Sequence, residues 1–281
     1  MTTFGWAKGH GTENDFVLLP DADAHIHGDL DPAFVAAICD RRRGIGADGV
    51  LRVVRSGAMG AGDGSEWFMD YRNADGSVSE MCGNGVRVFA AYLARGGMVD
   101  TSAPVPIGTR DGVKTVTFEP DGTFTVDLGV PEPVGETRIA VGSRQWTARN
   151  IRTGNPHAVA FVDDLADAGP LFDEPDYDHG VYPDGVNIEF VAPIGHRHVG
   201  MRVHERGSGE TRSCGTGACA VAVAAAIRDG VDPREKGEPV SYRVDLPGGR
   251  LDIAWRPDGR ILLTGPASVV ADGEMYWHGE R

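Results

Sequence analysis

Glu80-Met81-Cys82-Gly83-Asn84-Gly85-Val86-Arg87 opens an apolar run that closes at Arg95-Gly96. Far downstream, Arg212-Ser213-Cys214-Gly215-Thr216-Gly217-Ala218 opens a second run, closing at Arg228-Asp229-Gly230. In both, a thiol sits where a strand-like stretch gives way to a Gly-x-Gly turn and then a helix. Helix starts leave backbone N–H groups unpaired and carry the positive end of the helix dipole. A thiol placed there is expected to lean toward thiolate. The same N–H groups can hold a carboxylate. Two such thiols predict one active site built from two halves of a duplicated chain.

Other fragments recur in the same order. Thr12-Glu13-Asn14-Asp15-Phe16-Val17 is matched by Thr153-Gly154-Asn155-Pro156-His157-Ala158, and Asp48-Gly49-Val50 by Asp184-Gly185-Val186. The separations shrink slowly, as small loop deletions in a second copy would make them. Three collinear matches predict two domain-sized repeats.

A length of 281 residues suits roughly two domains. An apolar share of 41% with 24% charged residues is ordinary for a soluble globular protein. No apolar run approaches the roughly 20 residues of a membrane span. The start, Met1-Thr2-Thr3-Phe4-Gly5-Trp6, lacks the basic opening and apolar core of a signal peptide, so a cytoplasmic enzyme is expected. Four cysteines make no disulfide framework. A net charge of −14 disfavours nucleic acid and anionic membrane as partners.

Periodicity predicts an amphipathic helix over 31–43, with Asp31 as N-cap and Pro32 in the first turn. It predicts helices over 82–95, with Gly96 as C-cap, and over 214–228. The last is apolar nearly all round and should be buried. Most of the rest reads as strands: Val50–Val54, Val113–Glu119, Phe124–Leu128, Val240–Leu246, Arg250–Trp255 and Ile261–Leu263. Gly129, Pro131 and Pro133 mark a boundary near 128–135. Many strands and few helices per half argue α+β or mixed α/β.

Taken together, Gly11–Phe16, Gly44–Gly49, Tyr71–Gly76, Met81–Gly85, Gly154–His157, Val186-Asn187 and Glu205-Arg206-Gly207 through Cys214–Gly217 resemble the diaminopimelate epimerases, over nearly the whole chain. The resemblance implies a mixed α/β fold of two similar pseudo-symmetric domains. Each would be a curled mixed sheet around a central helix, with the active site in the cleft between them. It places residues 1–128 in an N-terminal half, to which 266–281 return, and 129–265 in a C-terminal half. It implies an isomerase that interconverts LL- and meso-diaminopimelate in lysine and peptidoglycan precursor synthesis. It implies no pyridoxal phosphate or other cofactor, no metal, a small-molecule partner, and admits a homodimer. This chain departs from the common family pattern at Glu13 (often Gly), Gly49 (often Gln) and Ala158 (often Cys).

Epimerisation removes the proton on Cα and returns one to the opposite face. None of the three lysines, Lys8, Lys114 and Lys236, falls in these motifs, which argues against a Schiff base. Cys82 and Cys214 are therefore the expected bases. The N–H groups around Gly83-Asn84 and Gly215-Thr216 are the expected hold on the α-carboxylate. Cys39 and Cys219 fall on helix faces that read as core. The resemblance assigns His157 and Glu205 to tuning the thiols. The distal amino-acid end would be recognised by Asn14, Asn73, Asn155 and Asn187, with Glu205 for the ammonium and Arg206 for the carboxylate. Gly44–Gly49 also fits a dinucleotide fingerprint, but it follows a helix and opens a strand, the wrong order. Two rivals stay open: a proline-type racemase of the same fold, and a non-catalytic amino-acid-binding protein with structural thiols.

Overall fold

A computed structural model describes residues 2–62 and 64–277. In chain order the elements are β1 (Thr2–Gly11), β2 (Asn14–Pro20), α1 (Pro32–Cys39), β3 (Gly49–Arg55), β4 (Trp67–Asn73), α2 (Gly83–Arg95), β5 (Val105–Thr109), β6 (Gly112–Phe118) and β7 (Phe124–Asp127). There follow β8 (Glu132–Val141), β9 (Arg144–Thr153), β10 (Asn155–Phe161), β11 (Asp176–Tyr177), β12 (Asn187–Gly195), β13 (His198–Glu205), β14 (Gly209–Thr211), α3 (Gly215–Arg228), α4 (Pro233–Lys236), β15 (Val240–Leu246), β16 (Gly249–Trp255), β17 (Ile261–Gly265) and β18 (Ser268–Trp277). The chain divides into two compact units, Met1–Val126 with Pro266–Arg281, and Asp127–Gly265. Of the C-terminal return, 278–281 lie outside the described residues. Asp127 is tied into the second unit by Arg260 and by accepting from the Gly129 N–H at 3.0 Å.

Within the first unit the strands neighbour one another in the order β18-β1-β2-β3-β4-β5-β6-β7. Within the second the order is β8-β9-β10-β12-β13-β15-β16-β17. Both series run antiparallel, antiparallel, parallel, antiparallel, parallel, antiparallel, with the short last strand antiparallel again. The duplication is therefore one of backbone topology. The C-terminal β18 stands in the first unit where β8 stands in the second.

Each sheet curls around one helix. α2 packs on β1, β2, β3, β4, β6 and β18, and α3 on β9, β10, β12, β15, β16 and β17. The helices hold that central place because they offer apolar surface in several directions. In α3, Gly215 through Ala226 are all buried. In α2, Val86, Val88, Phe89, Ala90 and Leu93 are buried, and Arg87 is buried too because the Gly83 carbonyl and the Asn84 amide oxygen accept from it at 3.1 and 2.9 Å.

Several local expectations shift. α1 stops at Cys39 rather than running to 43, because the Asp40 carboxylate takes the Arg42 and Arg43 N–H groups at 2.8 Å each. Gly96 caps α2 as expected, but in a right-handed conformation (φ −80°), and the left-handed residue is the next one, Gly97 (φ 63°). The Asp-Gly-Val match also misaligns the two halves. Gly185 (φ 86°) turns ahead of β12, whereas Gly49 opens β3 and pairs with Phe16. The residue that opens β12 and pairs with His157 is Asn187.

Candidate active site

Each cysteine is the N-cap of the helix its sheet encloses. Cys82 (φ −139°, ψ 120°) accepts from the Gly85 N–H at 3.4 Å, and Cys214 (φ −126°, ψ 112°) accepts from the Gly217 N–H at 3.4 Å. A sulfur thus occupies the capping position that Ser or Asp usually fills, facing the unpaired N–H groups of the first turn.

In the first unit the β1–β2 turn delivers Asn14. Thr12 (φ 50°) and Glu13 (φ 64°) both hold left-handed conformations there, which disfavour residues with a Cβ. Asn14 Oδ1 accepts from the Cys82 thiol at 3.6 Å and from Asn84 Nδ2 at 3.1 Å. Its Nδ2 donates to Asp48 at 2.8 Å, which fixes the orientation of the amide. Arg41 grips Asp48 and Asp15 at 2.7 Å each, and Lys8 reaches Asp15 at 3.0 Å. Burial works to raise Asp15, yet Arg41 and Lys8 hold it down at about 2. Cys39 lies beside this cluster. Burial, with Asp15 and Asp48, pushes it to about 12, in keeping with a core thiol. Asn73 closes the turn after β4 and donates to Ser77 Oγ at 3.0 Å. Gly49 presents no side chain: a Cβ there would come within 2.6 Å of the Arg72 carbonyl oxygen and 2.8 Å of the Tyr71 ring.

In the second unit Cys214 is 5% exposed, and its sulfur meets Thr216 Oγ1 at 3.5 Å. Burial first, then the Glu205 and Glu189 carboxylates, push its thiol well above the usual value. The helix start alone led to the opposite expectation. Desolvation and the two carboxylates work against the dipole there. Glu205 is itself raised by burial, against hydrogen bonds from Thr211 and Cys214. Asn187 accepts from the Arg206 N–H at 2.9 Å, and the Arg206 guanidinium donates to the Asp184 carbonyl at 2.9 Å. Asn155 opens β10 opposite Thr153, whose hydroxyl donates to the Thr216 carbonyl at 2.9 Å. His157 is wholly buried, its Nδ1 2.6 Å from Glu189 Oε1.

The first unit therefore brings together Cys82, Asn14 and Asn84. The second brings together Cys214, Thr216, Glu205 and, by way of Glu189, His157. Glu189 has no place among the sequence expectations. It lies in Ile188-Glu189-Phe190, where alternation reads as a solvent-facing strand position. Aligning the halves on their strand openings, Gly49 with Asn187, sets it against Leu51, an apolar core position.

The solved structures similar to this chain show the fold first. A phenazine biosynthesis protein of the PhzF family from Bacillus anthracis matches with a TM-score of 0.71 at 15% identity, covering 99% of this chain and 100% of that one. A hydroxyproline epimerase from Agrobacterium vitis matches with a TM-score of 0.69 at 15% identity, covering 97% and 92%. At that identity the likeness is one of fold. The family follows from sequence. The diaminopimelate epimerase family profile matches residues 6–134 and 149–270. A diaminopimelate epimerase of Streptomyces coelicolor is 59% identical over 280 residues, covering 98% of this chain and 96% of that protein. One of Rhodococcus jostii is 46% identical over 295 residues, covering 98% and 99%. The chain belongs to the diaminopimelate epimerase family.

Proposed function

We propose that this chain interconverts LL- and meso-diaminopimelate with Cys82 and Cys214 as the two acid–base groups and no cofactor. The observation that carries the reading is the pair of matched N-cap thiols, in a chain 59% identical to a protein named for this activity. In one direction a thiolate takes the Cα proton while the other thiol gives one to the opposite face. In reverse they exchange roles. The carbon acid is very weak, so charge growing on the α-carboxylate must be stabilised as the proton leaves. The N–H groups around Gly83-Asn84 and Gly215-Thr216 suit that task. His157 and Glu205 adjust proton affinity around the thiols. The distal end falls to Asn14, Asn73, Asn155 and Asn187, with Glu205 for the ammonium and the Arg206 fork for the carboxylate.

The reading extends to a cytoplasmic enzyme of lysine and peptidoglycan precursor synthesis acting as a homodimer. Four cysteines in 281 residues are too few for a disulfide framework, which suits a reducing compartment. Sedimentation decides the oligomer. The test of the chemistry is LL-diaminopimelate in D₂O with dialysed, chelator-treated protein. Early product should carry deuterium at the inverted carbon while recovered substrate stays protiated. Label appearing first in recovered substrate, or a need for pyridoxal phosphate or metal, would end the two-thiol reading. Proline in place of diaminopimelate should give no exchange.

A further inference from the structure

The two halves can be compared position by position, since each has a parallel strand pair beside its capped helix. In the first, Phe16 pairs with Gly49 and Leu18 with Leu51. In the second, His157 pairs with Asn187 and Val159 with Glu189. Phe16 is thus the counterpart of His157, and Leu51 of Glu189. The helix starts agree. A Cβ added at Gly85 would meet Leu51 at 3.3 Å and Phe16 at 3.6 Å, whereas one added at Gly217 would meet Glu189 Oε1 at 2.6 Å and Cys214 Sγ at 3.2 Å. One scaffold therefore holds an apolar pair in one copy and a buried acid–imidazole pair in the other. The fold does not need the charged version.

It is also expensive. Glu189 and His157 are both fully buried, and Glu189 Oε2 and His157 Nε2 have no hydrogen-bond partner. A carboxylate withdrawn from water is disfavoured by several kcal/mol unless fully paired. Burial accordingly raises Glu189. The titratable groups about it are His157 on β10, Glu205 on β13, Cys214 at the start of α3, and Tyr182 ahead of β12. A costly pair that the fold can replace with Phe and Leu calls for a functional reason.

We propose that Glu189 is a positioning residue of the epimerase site. It holds His157 by Nδ1, leaves Nε2 as the ring nitrogen available to the chemistry, and sets a carboxylate against the helix turn that Cys214 caps. The inference rests on the reading that His157 and Cys214 belong to the site. A carboxylate on one imidazole nitrogen fixes the tautomer and raises the basicity of the other. Gly217 has no side chain because the carboxylate occupies that space.

Glu189→Gln keeps the size and leaves an amide oxygen to accept from Nδ1, so a merely structural role predicts wild-type behaviour. The expected result is a kcat lower by about 10–100-fold, the range for a partner one step behind the reacting group, with KM little changed because Glu189 does not touch substrate. The pH profile of kcat should shift with it. In ¹⁵N-histidine NMR of the wild-type protein, His157 should carry its proton on Nδ1, and that resonance should move in the variant. His157→Phe/Glu189→Leu, which rebuilds the pair of the first half, should fold and be inactive. If His157→Gln is impaired while Glu189→Gln keeps the wild-type kcat, pH profile and Nδ1 proton, Glu189 is overturned and the site reading stands. Wild-type His157 bare at Nδ1 also overturns the role of Glu189. If His157→Gln is as active as wild type, His157 leaves the site and the inference goes with it.

Discussion

At Gly85 the first turn of α2 lies against Leu51 and Phe16; at Gly217 the first turn of α3 lies against the Glu189 carboxylate. The eight-strand series and the helix caps match, so the difference around the thiols is one of chemistry laid on a common frame. The Cys82 end is dressed with amides from Asn14 and Asn84. The Cys214 end is dressed with Glu205, Glu189 and Thr216. Duplication supplies two equivalent helix starts, and substitution around them then makes the two thiols unlike. A reaction that removes a proton at one face and returns one at the other suits two bases that need not be identical.

The largest effect expected is loss of either thiol. Cys82→Ala and Cys214→Ala should each lower epimerisation by about 10²–10⁴-fold, the usual worth of a positioned acid or base. Cys39→Ala should stay close to wild type, since that thiol, on the last residue of α1, is buried and raised to about 12. A Cys82→Ala enzyme with near-normal turnover would show that only the Cys214 half is catalytic.

Next comes Arg206. Arg206→Met should weaken kcat/KM for diaminopimelate by about 1.5–3 kcal/mol, the range for a hydrogen bond to a charged group. An unchanged kcat/KM would remove Arg206 from substrate recognition.

The glycines test the comparison directly. Gly217→Ala drives a methyl to 2.6 Å from Glu189 Oε1, whereas Gly85→Ala meets its nearest neighbour, Leu51, at 3.3 Å. Overpacking of the first kind typically costs about 1–3 kcal/mol. Thermal unfolding should therefore show Gly217→Ala clearly below wild type and Gly85→Ala closer to it. The reverse order would mean that the carboxylate yields more readily than the Leu51 side chain.

The parts legible in the sequence were those where backbone chemistry leaves a local mark. Gly-x-Gly after a thiol, followed by an apolar run, announces a capped helix, and both appear where expected, over Gly83–Arg95 and Gly215–Arg228. Val240–Leu246 was readable from its alternation. Illegible were features set by neighbours distant in the chain. The thiolate leaning expected of Cys214 from its helix start is opposed by burial and then by Glu205 and Glu189, which reach it from other strands. Asp40 ends α1 with its own side chain, a choice that periodicity does not register. The Asp-Gly-Val repeat was a match of letters without a match of register.

The smallest effect expected separates the thiols by reactivity. Cys82 is half-buried, while Cys214 is buried and its thiol is raised by burial and by two carboxylates. The nucleophile is the thiolate. A thiol with a raised pKa stays protonated below that value, so its labelling is suppressed near neutral pH and recovers only in strongly alkaline solution. With iodoacetamide and substrate-free protein at pH 7, peptide mapping should find Cys82 labelled about tenfold or more ahead of Cys214, a difference of about 1.4 kcal/mol. The gap should narrow as pH rises. Glu205→Gln takes one carboxylate away from the sulfur and should speed Cys214 labelling while leaving Cys82 unchanged. Labelling of Cys214 first, at neutral pH, would mean that the helix start prevails over the carboxylates, and the contrast between the two thiol environments would have to be drawn the other way round.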